Sequence, residues 1–387
     1  MLGDKTHYKL RLIEPSFGSE LTDLIIELDH LRKMRLLGST HPSIFFQLKH
    51  IFHTLESIGS ARIEGNRTTI TEFIESKISS EKDLNQGIIE IQNMETALGF
   101  IDEMVKDIKI NRSFISELHR KIVKDLLLPP DGEGDPTPGV YRNTNVTITK
   151  SSHVPPDYLL VNDLMEELFE FINYGSSSKY DLLKVALAHH RFVWIHPFRN
   201  GNGRAVRLFT YALLVKYGFN IGVGGRIINP TAIFCSDRDK YYDSLAKADI
   251  GDESDLLDWC NYVLSGLKTE IEKVDNLLDY DYLKNEILLP AINYSLERKF
   301  INNKEGKILK KALDAKNQEL KASDLKGIFP TKIPAAISRE INELKKKNMF
   351  LPVEENARRY IISFSNNYLL RGIIKALGDK GFLPINE

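Results

Sequence analysis

One twelve-residue segment between two predicted helices constrains the fold more than any other part of the chain. It reads His196-Pro197-Phe198-Arg199-Asn200-Gly201-Asn202-Gly203-Arg204-Ala205-Val206-Arg207. Apolar periodicity predicts helices over 182–195 and 204–217 on its two sides. Pro197 ends the first helix, and Gly201 and Gly203 let the backbone turn so tightly that successive N–H groups can face one anion. The segment therefore predicts a tight anion-binding turn between two helices.

The side chains of this segment are those expected of a polyphosphate site. Arg204 and Arg207 are three residues apart, so both lie on one face of the first helical turn, beside the positive end of the helix dipole. His196 stands at the rim and is the side chain that accepts a proton near neutral pH. His189 and His190 lie upstream and are predicted to be buried or hydrogen-bonded. The alternative, a Gly/Asn-rich turn with solvated arginines, does not account for this combination of residue types.

The segment resembles the signature of the Fic family, HPFx(D/E)GNGRxxR, and the resemblance extends from about residue 55 to about residue 265. It implies a mainly α-helical fold and transfer of AMP from ATP to a protein. His196 would deprotonate a Ser, Thr or Tyr hydroxyl, which then attacks the α-phosphate of ATP. Phe198 would pack into the core and fix the loop. The ATP-binding residues that the resemblance implies in this loop are Gly201, Asn202, Gly203, Arg204 and Arg207.

Asn200 is the position of the segment that departs from the family pattern. The family usually carries Asp or Glu there, and that acid holds Mg²⁺. An amide oxygen still coordinates a hard cation but brings no charge, so the resemblance implies Asn200 as a weaker ligand for Mg²⁺. The substitution keeps an alternative open, a DNA-binding regulator whose Fic domain senses nucleotide and is weakly active or inactive.

A second motif lies upstream, in Ser60-Ala61-Arg62-Ile63-Glu64-Gly65-Asn66. Ser60 and Glu64 are four residues apart and share a helix face, and Gly65 fits a helix C-terminus. On its own the string is typical of a capped surface helix. Beside the Fic segment it resembles the family's inhibitory motif, (S/T)xxxE(G/N). The resemblance implies that Glu64 pairs with Arg207 in the γ-phosphate site and inhibits the enzyme.

Two further segments carry predicted parts of the site. Asn145-Val146-Thr147-Ile148-Thr149 alternates polar and apolar residues and predicts a short β-hairpin. The resemblance equates this hairpin with the family's flap, which docks the target by strand addition, and a plain loop is the alternative. Tyr241 and Tyr242, with Arg238, resemble a stretch that helps to form the adenine pocket, where a tyrosine ring stacks on the base. Both tyrosines also suit a protein core.

The end of the chain differs from the rest in charge. Residues 298–387 hold 19 Lys/Arg against 10 Asp/Glu, a net charge of +9, whereas the whole chain carries −1. The predicted elements there are helices near 305–316, from 323 and over 334–347, then strands over 349–353 and 360–364. This is the order of a winged helix-turn-helix, and DNA is the predicted partner. A solvated basic face or a protein-docking module is the alternative. The predicted exposed face carries Ser338, Arg339, Asn342 and Lys345.

These features predict a mainly α-helical protein, with a Fic helical domain bearing a β-hairpin flap and a C-terminal winged helix-turn-helix domain. The predicted domains are an N-terminal region with the inhibitory helix at 1–110, the Fic domain at 111–268, a linking helix at 269–298 and the winged helix at 299–387. Cys235 and Cys260 form no CxxC pair, which argues against a zinc site or a disulfide framework. No apolar run approaches about 20 residues, so we expect a cytoplasmic protein that binds no membrane.

The partners follow from the resemblance. They are ATP, Mg²⁺ and a target protein with a Ser, Thr or Tyr hydroxyl, or the chain itself. A homodimer stays open. A nucleotide donor other than ATP also stays open, because a phosphate site does not select the base.

Overall fold

The computed structural model describes most of the chain. The described residues are 8–34, 38–79, 84–148, 151–175, 177–219, 227–355, 357–364 and 367–382. Within them the fold is mainly α-helical, as predicted, with a small antiparallel sheet towards the C-terminal end. Of the helices in these ranges, none is both long and apolar enough to span a bilayer.

The helices up to residue 275 surround a central pair. Their bounds are α1 Glu20–Lys33, α2 Pro42–Ile63, α3 Ile70–Ser79, α4 Gln86–Met104, α5 Arg112–Ile122, α6 Val161–Asn173, α7 Asp181–Ile195, α8 Asn202–Lys216, α9 Thr231–Ser236, α10 Arg238–Ala248 and α11 Glu253–Asp275. The central helices are α7 and α8, which are buried on nearly every side. Helices in this position need apolar residues around most of their circumference, as both have. The loop that joins them is therefore held at both ends by buried helices.

The ends of α2 follow from its sequence. Pro42 lies in the first turn, where its missing N–H is not needed for the helix. At the other end Glu64 is the capping residue, and Gly65 leaves the helix with a φ of +106°. Ser60 and Glu64 thus stand one turn apart at the C-terminal end of α2, as their spacing predicts.

α2 connects two hydrophobic cores. The first core contains α5, α6, α7, α8 and α11, and Ile63 at the end of α2 belongs to it. Earlier residues of α2, including Ile44, Leu48 and Phe52, belong to a second core that they share with the C-terminal region. The predicted N-terminal region 1–110 is therefore divided between the two cores, and α2 runs from one to the other.

The linking helix predicted at 269–298 is divided, because α11 ends at Asp275 and a 3₁₀ turn, Asn276–Leu278, follows it. The helical run after this turn consists of α12 Tyr280–Tyr282, a π-helical turn Leu283–Leu288 and α13 Leu289–Glu297. Asp279 accepts a hydrogen bond from the Tyr282 N–H and begins a new helix there. Pro290 lies in the first turn of α13 and has no N–H to donate, so the regular α-helical pattern is interrupted before it.

The C-terminal region keeps the predicted order but adds an unpredicted first strand and an unpredicted last helix and shortens the second predicted helix. Its elements are α14 Asn303–Leu313, β1 Leu320–Lys321, α15 Pro334–Lys346, β2 Phe350–Pro352, β3 Arg359–Ile362 and α16 Leu369–Asp379. β3 pairs antiparallel with both other strands, which gives the order β1-β3-β2. The helix predicted from Ser323 is a single 3₁₀ turn, Ala322–Leu325, because Gly327 and Pro330 follow too soon for a longer helix.

The hairpin predicted at 145–149 is wrong for the residues that the structure describes. Asn145 to Ile148 form no strand, and Thr149 lies outside the described residues. The Asn145 side chain instead accepts from the Tyr158 N–H at 2.9 Å and donates to the Asp157 carboxylate at 3.1 Å. Side-chain bonds rather than a partner strand hold this loop, and so short a strand is not stable without pairing.

Candidate active site

The loop between α7 and α8 contains two residues in the left-handed backbone region. His196 ends α7 with a φ of +53°, and Gly201 begins α8 with a φ of +74°. This conformation suits glycine but costs an ordinary residue roughly 1–2 kcal/mol. The fold must therefore hold His196 in place, and strained backbone of this kind is often found at functional sites.

Arg142 holds the first half of the loop and was not singled out from the sequence. Its backbone N–H donates to the Pro197 carbonyl at 2.8 Å, and its side-chain Nε donates to the His196 carbonyl at 2.9 Å. Nη2 donates to the Pro156 carbonyl at 2.6 Å. The buried guanidinium therefore joins the strained residue to the segment that follows the predicted flap. A single arginine forms no spacing pattern, so the sequence alone carried no signal for this role.

His119 of α5 holds the second half of the loop and was also missed. Its ring stacks on Phe198, with centroids 3.7 Å apart and planes 7° from parallel. Nδ1 accepts from the Gly139 N–H at 2.8 Å, so Nε2 carries the proton that is donated to the Asn200 carbonyl at 3.0 Å. Burial lowers the pKa of His119 to about 4, which keeps the ring neutral near neutral pH. The visible signal was a histidine within an apolar helix stripe.

The Asn202 side chain closes the loop on itself. Oδ1 accepts from the Phe198 N–H and Nδ2 donates to the Phe198 carbonyl, both at 2.9 Å. Asn202 is buried, and Phe198 is fully buried as predicted. Both amide atoms of this side chain thus bond within the loop, and its predicted contact with a phosphate stays a prediction. The backbone N–H groups at the start of α8 are the donors that remain for an anion.

The His196 ring is neutral and has one unprotonated nitrogen, as a general base requires. Nδ1 lies 3.4 Å from the Val193 carbonyl, so the Nδ1 proton is donated there and Nε2 is the nitrogen that can accept a proton. Burial lowers the pKa of His196 to about 4, and the Val193 hydrogen bond opposes this shift. The neutral imidazole therefore predominates near neutral pH.

Glu64 and Arg207 form an ion pair, as the resemblance implies, in which the Arg207 side chain is buried and the Glu64 side chain is 28% exposed. Arg207 Nη2 donates to Glu64 Oε1 at 2.7 Å and to the Ser60 carbonyl at 3.0 Å, and its Nε donates to Ser60 Oγ at 2.7 Å. Burial acts to raise the pKa of Glu64, but the adjacent Arg207 lowers it below its usual value. Glu64 is therefore a carboxylate bound to a guanidinium at the first turns of α8.

Gly203 brings this carboxylate against the N-terminus of α8. A Cβ atom added at Gly203 would collide with Glu64 Oε1, so only glycine allows the approach. The position combines a helix N-terminus with a guanidinium, which is a favourable place for an anion. Glu64 thus occupies an anion site that the chain itself builds.

Arg204 has different partners from those of Arg207. It is fully buried, its Nη1 lies 3.0 Å from Glu90 Oε1, and its Nη2 donates to the Glu133 carbonyl at 2.6 Å. The Glu133 carboxylate lies 3.7 Å from the same Nη2. Within the described residues its Nε has no hydrogen-bond partner. Arg204 therefore holds the loop that carries Glu133 in place. Its predicted contact with a phosphate stays a prediction.

Asn200 turns its side chain towards that same loop. Its Oδ1 accepts from the Gly201 N–H at 2.8 Å, while Nδ2 donates to Glu133 Oε2 at 3.2 Å and to the Gly134 carbonyl at 3.1 Å. Its backbone N–H donates to Asp135 at 2.9 Å. The amide oxygen predicted to hold a metal is thus already occupied by a hydrogen bond within the loop.

The two predicted adenine-pocket tyrosines differ in exposure. Tyr241 is buried among aromatic residues, and its hydroxyl bonds His189 Nε2 at 2.9 Å, so it belongs to the core rather than to an open pocket. Tyr242 is 40% exposed and lies beneath the Arg238 guanidinium, 5.5 Å from its ring centre. His189 and His190 are both fully buried, as predicted, and His190 is bonded to Tyr8 and Asp249.

Known proteins resemble the chain around this site. Residues 109–214 match the model of the Fic/DOC family. The protein adenylyltransferase Fic of Drosophila willistoni is 29% identical over 280 residues, covering 65% of this chain and 51% of that protein. The Fic adenylyltransferase of Nematostella vectensis is 31% identical over 218 residues, covering 54% of this chain and 44% of its own length. The chain therefore spans about half the length of the curated relatives it matches.

The fold is also shared beyond the matched domain. A crystal structure of a Fic family protein from Desulfovibrio desulfuricans superposes with a TM-score of 0.54 at 17% identity, over 92% of this chain and 98% of the other. The similarity thus includes the C-terminal region as well as the loop between α7 and α8. Residues 109–214 thus match the Fic/DOC family model, and the fold of the chain is similar to that of a Fic family protein.

Proposed function

We propose that the chain transfers AMP from ATP to a hydroxyl side chain of a target protein or of itself, and that Glu64 inhibits the transfer. The observation that carries the proposal is the Glu64 carboxylate, held by Arg207 against the N-terminal turn of α8. A carboxylate in such a position mimics a phosphate, because both offer oxygens to the same guanidinium fork and N–H groups. The γ-phosphate of ATP would take this place when Glu64 leaves it.

The reaction we propose is an in-line displacement at the α-phosphorus. The target hydroxyl oxygen forms a bond to the α-phosphorus, the bond from that phosphorus to the bridging oxygen breaks, and pyrophosphate leaves. The hydroxyl proton passes to Nε2 of His196, which is the unprotonated nitrogen. The α8 N–H groups and Arg207 would stabilise the charge on the phosphates, so positioning and electrostatics supply most of the catalysis.

For the adenine and the target segment, we propose fewer contacting residues than the resemblance implies. Tyr242, exposed beside Arg238, would stack on the adenine, while the buried Tyr241 supports it from the core. Residues 145–148 lie in an open loop, and Asn145 and Thr147 are exposed there. We propose that an extended target segment pairs with this loop, which becomes a strand only with that partner.

Mg²⁺ normally accompanies ATP, and the residues around Asn200 fit such an ion through a carboxylate rather than through the Asn200 amide. The amide oxygen already accepts from Gly201, whereas the half-buried Glu133 carboxylate lies beside Asn200. Among the described residues, no three His, Cys, Asp or Glu side chains could hold a metal together. Mg²⁺ commonly takes one or two carboxylates, water and substrate phosphates, and it neutralises phosphate charge when bound.

Mass spectrometry after incubation with ATP tests the proposed activity. We expect the wild-type chain to gain a small amount of covalent AMP and the Glu64→Gly variant to gain more, on a Ser, Thr or Tyr residue. The variant Glu64→Gly with His196→Ala is the control and should gain none. Complete absence of AMP on Glu64→Gly, with ATP binding intact, would count against the transferase and favour the nucleotide-sensing alternative.

The C-terminal region suggests a second function, DNA binding. Ser338, Arg339 and Asn342 are exposed along α15, and Lys345 is half-buried. Glu340 and Glu343 lie on the same helix, so the local charge is mixed despite the basic total. A gel-shift with duplex DNA tests the proposal, since Arg339→Ala should weaken a complex that forms through α15. Equal binding by Arg339→Ala and wild type would exclude this helix as the contact.

A further inference from the structure

We propose that Glu133, in the loop between α5 and α6, supplies the carboxylate that binds the divalent cation of the nucleotide, in place of the amide at Asn200. The proposal rests on the proposed nucleotide site. It concerns a residue that lies 67 positions away from Asn200 in the sequence and shares no motif with it.

Asn200 directs its amide nitrogen, not its amide oxygen, towards Glu133. Its oxygen accepts the Gly201 N–H at 2.8 Å, and its nitrogen points outward to Glu133 Oε2 at 3.2 Å. The side chain therefore offers a donor, not an acceptor, towards the Glu133 loop. A cation cannot bind an N–H₂ group, but it can bind the carboxylate that this group holds in position.

Arg204 fixes the loop that carries Glu133. The Glu133 carboxylate is 44% exposed and lies 3.7 Å from Arg204 Nη2, while the Glu133 backbone carbonyl is held by the same guanidinium. The loop is thus fixed by a fully buried cation, and the carboxylate remains accessible to solvent. A fixed and accessible carboxylate is what a hard cation requires of a protein ligand.

The charges near α8 favour a metal complex of the nucleotide. A triphosphate that enters there brings several negative charges near Glu64, Glu90 and Glu133, where burial, with the charges of Glu133 and Glu64, already raises the pKa of Glu90. Without a cation these carboxylates oppose the binding of the phosphates. A divalent ion between Glu133 and the phosphates turns this repulsion into attraction, so Glu133 favours the metal complex of ATP over free ATP.

Mn²⁺ binding tests the proposal without relying on turnover. The Glu64→Gly chain is mixed with a non-hydrolysable ATP analogue, and the dissociation constant of Mn²⁺ is measured by electron paramagnetic resonance. Glu133→Gln should weaken Mn²⁺ binding roughly tenfold or more. Asp131→Asn is the matched control, because it removes one exposed carboxylate from the same loop, and it should leave the constant within about twofold.

A compensating exchange makes the test specific. Asn200→Asp combined with Glu133→Gln returns a carboxylate to the same place from the opposite loop, and we expect it to recover most of the Mn²⁺ affinity. Binding of the metal-free analogue should be unchanged or tighter in Glu133→Gln, which separates metal loss from misfolding. Equal Mn²⁺ constants for Glu133→Gln and Asp131→Asn would overturn the inference, whereas absence of AMP transfer from Glu64→Gly would count against the proposed function instead.

Discussion

Glu64 Oε1 lies 2.7 Å from Arg207 Nη2, and Gly203 is the residue whose missing side chain leaves room for that carboxylate. The pair joins the end of α2 to the first turns of α8. The anion site formed by the Arg207 guanidinium and the N-terminus of α8 is therefore occupied by a carboxylate of the chain itself.

Glu64→Gly should increase AMP transfer by tenfold or more, because it empties the anion site and frees Arg207 for the γ-phosphate. The initial rate of label incorporation from ATP measures the effect. Glu72→Gly in α3 serves as a control for the loss of an exposed glutamate, and it should leave the rate unchanged. If the rate for Glu64→Gly equals that of the wild type, Glu64 does not inhibit the transfer.

Ser60→Ala should weaken the inhibition in part. Ser60 Oγ accepts from Arg207 Nε, and its loss leaves a buried N–H without a partner, at a cost of about 1–3 kcal/mol. We expect an AMP-transfer rate between those of the wild type and Glu64→Gly, with a lower free energy of unfolding in urea. Ser60→Thr keeps the hydroxyl and is the control. A less stable Ser60→Ala protein with an unchanged rate would show that Ser60 supports the fold alone.

The pKa of His196 predicts how the activity depends on pH. This pKa is lowered to about 4 by burial, and the neutral form is the active base. In the Glu64→Gly background kcat should therefore rise with pH through about 4 and stay flat across the neutral range. A profile that rises instead near the ordinary histidine pKa of 6.5 would mean that the nucleotide complex restores solvent or charge around the ring.

His119→Phe should keep the stacking on Phe198 but lose both hydrogen bonds of the ring. The Gly139 N–H and the Asn200 carbonyl would then lack partners, each at a cost of about 1–3 kcal/mol. The folded-state pKa of His119 is depressed from 6.5 to about 4, so this group stabilises the fold above pH 6.5 and loses that contribution as the pH falls towards 4. Urea unfolding from pH 7 to pH 5 should accordingly show a smaller decline in stability for His119→Phe than for the wild type.

Gln47→Ala should loosen α2 from the C-terminal sheet. Gln47 Nε2 donates to the Ile362 carbonyl at 2.9 Å and its Oε1 accepts from the Phe364 N–H at 3.0 Å, so the substitution leaves two buried backbone groups unpaired. Because α2 ends in Glu64, AMP transfer should rise towards the Glu64→Gly rate but not beyond it. Gln92→Ala in α4 is the control. Loss of stability without a gain in rate would mean that the two ends of α2 are independent.

The sequence predicted the parts of the site that lie in continuous motifs. Pro197, Gly201 and the Arg204–Arg207 spacing place the loop between α7 and α8, and the Ser60–Glu64 spacing places Glu64 at a helix end. Each of these follows from local backbone chemistry, namely the missing N–H of proline, the left-handed conformations open to glycine and the pitch of the helix. The pairing of Glu64 with Arg207 came from the resemblance and is confirmed by the hydrogen bond between them.

The sequence did not predict contacts made by single residues far apart in the chain. Arg142, His119 and Glu133 support the loop through long-range hydrogen bonds that leave no spacing pattern. The strand expected at 145–148 failed because alternation alone does not provide a pairing partner. Tyr241 proved to be a core residue because its hydroxyl has a buried partner, His189, on the neighbouring helix.

The position of the label on ATP tests the central claim most directly. Glu64→Gly is incubated in parallel with ATP radiolabelled at the α-phosphate and with ATP radiolabelled at the γ-phosphate, and protein-bound label is counted for each. The account predicts stable label from the α-phosphate, none from the γ-phosphate, and none from either once His196→Ala is added. Label from the γ-phosphate, or α-label that survives His196→Ala, would contradict it.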